Sequence, residues 1–124
     1  MTETVFVFDT YALIEIINGN KNYLPYLSSG IVINDFILAE LCYNLIKESS
    51  VEKSSFYMDK YLEFSLKVPP KVIKDAMAFR FSLRKRKVSM TDCIGYFQAK
   101  SLGIKFLTGD KEFKCLEGVE FVPS

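Results

Sequence analysis

The chain has 124 residues, 49% hydrophobic and 25% charged, with 16 basic and 15 acidic side chains and a formal net charge of +1. That composition suits one globular domain and excludes disordered, collagen-like and low-complexity sequence, as well as a generally polybasic nucleic-acid coat. There is no histidine, which removes Ser-His-Asp and Cys-His catalysis and every His-ligated metal site, and leaves chemistry to carboxylates, lysines, hydroxyls or thiols.

The three cysteines, Cys42, Cys93 and Cys115, are odd in number, far apart and free of any Cys-x-x-Cys spacing. They read as small apolar residues of a reducing compartment, with no disulfide framework or zinc ribbon. The stretch Met1-Thr2-Glu3-Thr4 carries an acid and no basic region, unlike a signal peptide. The longest apolar run, Ile31 to Ile46, is interrupted by Asn34, Asp35, Glu40 and Asn44, so no membrane span is predicted. The expected location is the cytoplasm.

In chain order, Thr4–Phe8 is a short β-branched and aromatic run, the pattern of a buried parallel strand. Thr10–Asn18 reads as a helix stopped by Asn18-Gly19-Asn20, and a short helix is expected around Tyr23–Leu27. A strand at Gly30–Ile33 is followed by Asn34-Asp35, an N-cap for an apolar helix from Phe36 to about Glu48. After Ser49-Ser50 a helix with Phe56, Tyr57, Tyr61, Leu62 and Phe64 runs to about Leu66. Val68-Pro69-Pro70 then opens another, from Lys71 to about Lys85. A helix over Thr91–Leu102 ends at Gly103, Ile104–Leu107 is a strand, Lys111–Leu116 a short helix and Glu120–Val122 a last edge strand. This alternation predicts one α/β domain over 1–124, with a central parallel sheet of about four or five strands flanked by helices.

Charge is uneven. Residues 67–87 hold eight bases (Lys67, Lys71, Lys74, Arg80, Arg84, Lys85, Arg86, Lys87) against one acid, Asp75. A near-neutral chain thus carries one strongly basic segment.

Four acids stand in unusual places. Asp9 follows the first strand and Asp110 follows Ile104–Leu107 by way of Thr108-Gly109, so both belong at the carboxyl ends of strands, where open parallel sheets bind ligands. Glu40 interrupts Ile37-Leu38-Ala39-Glu40-Leu41, on a helix face expected to point inward. Asp92 sits in Ser89-Met-Thr-Asp92 at a helix start. Each has an ordinary reading too: Asp9 and Asp110 as caps, Asp92 as the acid of a capping box, Glu40 as a helix carboxylate turned to solvent or paired with a lysine. Together, four converging carboxylates would repel one another and raise their pKa values, and a buried one would pay for desolvation. A divalent cation resolves both problems, and an all-oxygen donor set selects Mg²⁺ or Mn²⁺ over zinc.

Asp9-Thr10 after a first strand, Ala39-Glu40-Leu41 in a helix, Ser89-x-x-Asp92 opening a later helix and Thr108-Gly109-Asp110-Lys111-Glu112-Phe113 after the next strand resemble a PIN domain. Within that superfamily the chain is similar to the VapC-type toxins of toxin–antitoxin pairs. The resemblance implies an endoribonuclease in which Asp9, Glu40, Asp92 and Asp110 form the catalytic, metal-binding quartet. Thr108 supports it, as does Thr10 beside Asp9; Asn44, one turn beyond Glu40, could add a hydrogen bond to a ligating carboxylate, a plain helix-surface or core amide being its ordinary reading. It implies a Mg²⁺- or Mn²⁺-activated water that hydrolyses an RNA phosphodiester. Its partners would be RNA, an antitoxin protein and a second copy of the chain, with no role for a membrane. One departure is the helix after Asp92, Cys93-Ile94-Gly95-Tyr96-Phe97-Gln98, where the family commonly has smaller, alanine-like residues.

The run Arg84-Lys85-Arg86-Lys87 directly precedes Ser89–Asp92, so RNA contact is the expectation for it, since lysine and arginine contacts to phosphate supply sequence-independent affinity. A solvated basic connector is the alternative. Other functional readings are a PIN nuclease of RNA processing outside any toxin pair, and a non-catalytic α/β binding module. An aspartyl phosphatase is a further one, disfavoured because Tyr11 stands where a second Asp would be wanted.

Overall fold

The computed structural model describes residues 3–123; Met1 and Thr2, part of the stretch read above as unlike a signal peptide, lie outside them. Strand β1 (Val5–Phe8) is followed by helix α1 (Thr10–Ile17), a 3-10 turn at Lys21–Tyr26 and strand β2 (Gly30–Val32). Helices α2 (Asp35–Glu48), α3 (Val51–Tyr61), α4 (Pro70–Ser82) and α5 (Met90–Leu102) come next. Strand β3 (Lys105–Thr108), a 3-10 turn at Lys111–Phe113 and strand β4 (Val119–Phe121) close the fold. No helix of the described residues is long and apolar enough to cross a membrane.

Local chemistry sets the helix ends. Asn34 Oδ1 accepts the Ile37 amide at 2.9 Å, Ser50 Oγ accepts that of Lys53 at 3.0 Å and Ser89 Oγ that of Asp92 at 2.9 Å, each satisfying a donor that the first helical turn leaves free. Pro70 begins α4, where a missing N–H costs nothing. Gly103, at φ +70°, ends α5 in a left-handed conformation.

The four strands form one parallel sheet in the order β2-β1-β3-β4. The chain moves from β1 outward to β2, then crosses back to place β3 on the other side of β1. The strand order therefore reverses between β1 and β3. At such a switch point the connections after the two strands part and leave a crevice at their carboxyl ends. Phe8 pairs with Leu107 in the β1–β3 register, so Asp9 and Thr108 arrive side by side at its edge.

Phe8, Leu13, Ile33, Ile37, Ile94, Phe106, Leu107 and Phe113 are fully buried and form the centre of the core. The α5 stretch that departs from the alanine-rich pattern fits by virtue of Gly95. A Cβ there would lie 2.8 Å from Cε1 of Phe106, so the glycine lets α5 press onto β3 while Cys93, Ile94, Tyr96 and Gln98 are buried around it. A buried amide pair ties α5 to the start of α2. Asn34 Nδ2 donates to Gln98 Oε1 at 2.8 Å, and Gln98 Nε2 donates to the Ile33 carbonyl at 3.3 Å.

Several sequence expectations shift. The helix expected over Lys71–Lys85 stops at Ser82, because Leu83 leaves helical geometry and the next residues form turns closed by Arg84 N–Phe81 O (3.1 Å) and Arg86 N–Leu83 O (2.8 Å). The basic run is therefore a turn. The short helices expected at Tyr23–Leu27 and Lys111–Leu116 are 3-10 turns, and the end of the helix expected to reach Leu66 is a 3-10 turn at Leu62–Phe64. The sheet has four strands. Of the cysteines, Cys93 is buried, Cys42 half-buried and Cys115 exposed, so the apolar-core reading fails for Cys115, which lies beyond the last 3-10 turn.

Gly95→Ala places a methyl against the Phe106 ring. Overpacking of this kind costs about 1–3 kcal/mol, which is expected as a lower urea midpoint with an unchanged m-value. An unaltered midpoint would show that α5 can retreat from β3 without cost.

Candidate active site

Asp9 is 1% exposed and sits at the carboxyl end of β1. Its Oδ1 accepts the Ala12 amide at 2.6 Å, which caps α1, and its Oδ2 accepts the Thr108 hydroxyl at 2.5 Å. The Thr108 Oγ1 accepts the Asp110 amide in turn, at 3.0 Å, and Asp110 Oδ1 accepts the amide of Glu112 at 2.9 Å. Capping and clustering are thus one arrangement: the bonds that end the strands also aim their carboxylates.

Asp9, Glu40, Asp92 and Asp110 line a single cavity of about 390 Å³, together with Tyr11, Ser89 and Gly109. They come from the ends of β1 and β3, from the middle of α2 and from the first turn of α5. No lysine or arginine lines the cavity. Gly109 is there of necessity, because a Cβ would stand 3.0 Å from both the Tyr23 hydroxyl and the Val122 carbonyl.

The electrostatic cost falls on the aspartates. Burial pushes the Asp9 carboxyl up to about 7, against the hydrogen bonds from Thr108 and Ala12, which favour the charged form, and the charges of Asp110 and Glu40 add to the rise. Burial pushes Asp92 up to about 8, helped by the charges of Asp9, Asp110 and Glu40 and by a hydrogen bond with the Asp110 carboxyl. Glu40 is only half-buried. The sequence expectation of an uncompensated buried Glu therefore names the wrong residue for the desolvation cost, which Asp9 bears.

The expected supporting residues divide. Thr108 is fully buried and bridges Asp9 to the Asp110 backbone. Thr10 is buried, and its hydroxyl has no hydrogen-bond partner among the described residues. Asn44 is half-buried, one turn beyond Glu40, and is not part of the cavity wall. Tyr11, Ser89 and Gly109 line the cavity without having been singled out for it. Their signal was adjacency, since each lies within three residues of an acid of the quartet.

Among the described residues, no three acidic or thiol side chains lie, as they stand, within reach of one ion. The donor set nevertheless suits a small hard cation. It is all oxygen, it brings no positive charge of its own, and Asp9 and Asp92 resist ionisation. Mg²⁺ keeps several waters and needs only one or two direct carboxylates.

The basic run lies beside this cavity. Arg84 and Arg86 line a second cavity of about 280 Å³ with Met77, Arg80, Phe81 and Val88. Arg86 also pairs with Glu112, Nη2 to Oε2 at 3.1 Å. Lys85 and Lys87 are exposed and line neither of these two cavities.

Two outcomes follow from this geometry. Thr108→Ala leaves Asp9 Oδ2 and the Asp110 amide without their shared partner, a loss of about 1–3 kcal/mol in unfolding free energy, whereas Thr108→Ser keeps the hydroxyl and recovers most of it. Metal-free protein should also lose stability as pH rises from about 4 to about 8. In that window the folded state still holds protons on Asp9 and Asp92 that the unfolded chain has released, so the slope of stability against pH is negative. Melting temperatures in EDTA should fall across the window, and Asp92→Asn should flatten the fall. A melting temperature indifferent to pH would refute the crowded-carboxylate account.

Comparison with known proteins agrees with the fold and topology. The PIN domain family model matches residues 6–118. Comparison with curated proteins yields no match. Among solved structures, the chain resembles Mycobacterium tuberculosis VapC20, described as a sarcin-ricin loop cleaving toxin, with a TM-score of 0.76 at 17% identity over 97% of this chain and 100% of that one. It also resembles VapBC2 from Rickettsia felis bound to a promoter DNA fragment, with a TM-score of 0.74 at 19% identity over 96% and 99% of the two chains. A toxin–antitoxin complex from Klebsiella pneumoniae gives 0.70 at 18% identity over 93% and 95%. At these identities the likeness is one of fold, and with the family match across nearly the whole described chain it places this protein in the PIN domain family.

Proposed function

We propose that the chain is a divalent-metal-dependent endoribonuclease, the toxin of a toxin–antitoxin pair, with its nuclease domain spanning 1–124 and its work done in the cytoplasm. The observation that carries this reading is the cavity itself. Four carboxylates from four separate elements meet at the sheet's switch point with no basic residue among them. A capping role alone gives no reason for four acids to share one cavity at the cost of raised pKa values. The PIN family is generally divalent-metal dependent, and the solved structures that this chain resembles include a toxin described as sarcin-ricin loop cleaving and several VapBC assemblies.

In this reading Asp9, Glu40, Asp92 and Asp110 are the metal-binding and catalytic residues, with Mg²⁺ or Mn²⁺ as the cofactor. The bound ion would supply positive charge for the phosphoryl oxygens and a lowered pKa for a nearby water. The protein's own contribution is positioning. Asp9 is fixed from two sides, by the Ala12 amide and the Thr108 hydroxyl, so its carboxylate is pre-organised in one orientation. Asp92 opens α5 with its amide donated to Ser89 Oγ, which fixes its backbone at the cavity edge. Glu40, half-buried on α2, and Tyr11, 43% exposed, complete the lining of the same cavity, where Tyr11 is open to a substrate. An antitoxin and a second copy of the chain are the protein partners in this reading.

Incubation of the purified protein with labelled RNA tests it. Internal cleavage is expected with Mg²⁺ or Mn²⁺ and none in EDTA. Asp9→Asn should lower the rate by about 100-fold or more while its melting temperature in EDTA stays at the wild-type value or rises, since one crowded charge is gone. Cleavage that persists in EDTA would exclude the metal mechanism. Full activity in Asp9→Asn would reduce that carboxylate to a helix cap.

A further inference from the structure

We propose that the cavity lined by Arg80, Phe81, Arg84 and Arg86 is a nucleotide subsite for single-stranded RNA, with a phosphate held by Arg80 and Arg84 and a base laid against Phe81; this rests on the nuclease reading above. Three guanidinium groups share a space of about 280 Å³, and only one has an acidic partner, Arg86 on Glu112. Arg80 spends its Nε–H on the Val88 carbonyl at 3.1 Å, and Arg84 its Nη1 on the Phe81 carbonyl at 3.1 Å. Neither pairs with a carboxylate among the described residues, so most of their donors are free for an anion. Guanidinium forks match phosphate oxygens in geometry as well as charge.

The aromatic residue argues for a nucleotide over a bare anion. Phe81 is 66% exposed at the end of α4, and the Arg84 guanidinium lies 4.4 Å from its ring centroid. A ring beside a guanidinium plane is a stacking platform for a base, and such platforms accept any base. Met77 and Val88 supply an apolar floor.

Position completes the argument. Val88 lines this cavity and the next residue, Ser89, lines the acidic one. Arg86 is clamped to Glu112, two residues beyond Asp110. The two cavities therefore adjoin along both the 88–89 and the 110–112 segments. A strand whose scissile phosphate lies at the carboxylates has a neighbouring nucleotide within reach of the arginines. This also divides the work of the basic turn: Arg84 enters the subsite, Arg86 braces it against the Asp110 loop, and Arg80, one turn earlier in α4, joins them.

Binding of a labelled uridine oligoribonucleotide in EDTA, followed by fluorescence anisotropy across a salt series, tests the subsite without requiring cleavage. Changing both Arg80→Gln and Arg84→Gln should weaken binding and reduce the slope of log affinity against log salt by about 1.4, roughly 0.7 for each lost phosphate contact. Phe81→Ala should weaken binding and leave the slope unchanged. Mn²⁺ affinity, read by calorimetry, should match wild type in all of them. Because Arg80 also holds the Val88 carbonyl, Arg84→Gln alone, at an exposed position, is the safeguard against misfolding, with an expected slope change of about 0.7. Wild-type affinity and slope in Arg84→Gln and in the folded double variant would overturn the subsite and leave the nuclease reading standing if metal-dependent cleavage persists. Conversely, reduced slopes beside a wild type that never cleaves would support the subsite and overturn the nuclease. If the variants bind RNA as wild type does but lose affinity for a glutamate-rich peptide, the arginines serve an acidic protein segment and the proposal falls.

Discussion

The contact on which the site depends is the hydrogen bond from the Thr108 hydroxyl to Asp9. Parallel pairing of β1 with β3 brings these residues together across 99 positions of sequence, and the bond holds a charge-bearing group in a place with almost no water. From there the rest can be followed outward. The Ala12 amide takes the other oxygen of Asp9 and starts α1, while the Asp110 amide takes the second side of Thr108 and turns the chain after β3. A desolvated carboxylate is costly, and these bonds offset that cost only in part, as the raised pKa of Asp9 records. The remainder is a standing demand for positive charge. Two kinds of positive charge could answer it: in the proposed reading, a divalent ion held by the acids, and, in the structure itself, the arginines that line the adjoining cavity.

Under the proposed function, that separation of charge is what would let an acidic pocket serve an anionic substrate. Arginines inside the cavity would neutralise the carboxylates by ion pairing and leave no place for a metal. Arg80, Arg84 and Arg86 line the adjoining cavity instead, where their charge adds to the local field without pairing with the acids. Glu112 marks the boundary, since it pairs with Arg86 while Asp110, two residues before it, faces the other cavity.

The strands and most helices were legible because their signals are local: a β-branched run before Asp9, Asn34 and Ser89 as caps, Gly103 as a stop. The four acids were legible because strand ends and a broken apolar helix make a carboxylate conspicuous. What the sequence hid was the environment of each. Glu40 looked like the costly residue because its chain neighbours are apolar, yet it is only half-buried, and Asp9 and Asp92 are the residues whose carboxyls burial pushes up. The helix was expected to take in Arg84 and Lys85 because neither residue breaks a helix; it ends at Ser82 instead, with Arg80 holding the Val88 carbonyl and Arg86 holding Glu112 across the turn. Arg80 was counted among the bases, but only the fold brings it next to Arg84 and Arg86. Asn44, for which helical spacing from Glu40 left both a supporting and a plain helix role open, is half-buried and outside the cavity lining.

The amide pair between Asn34 and Gln98 has a kinetic meaning. It joins the segment that carries Glu40 to the helix that carries Asp92, and it forms only when residues 64 positions apart are both in place. Asp110 must then arrive on β3, which inserts beside β1, near the other end of the sequence. Contacts of such long range form late in folding, because loop closure has to precede them. During synthesis, a ribosome that has released the first hundred residues has released three of the four acids and no finished cavity. The four acids therefore meet only once both ends of the sequence are in place, and a product cut before Asp110 carries three of them without the cavity they share.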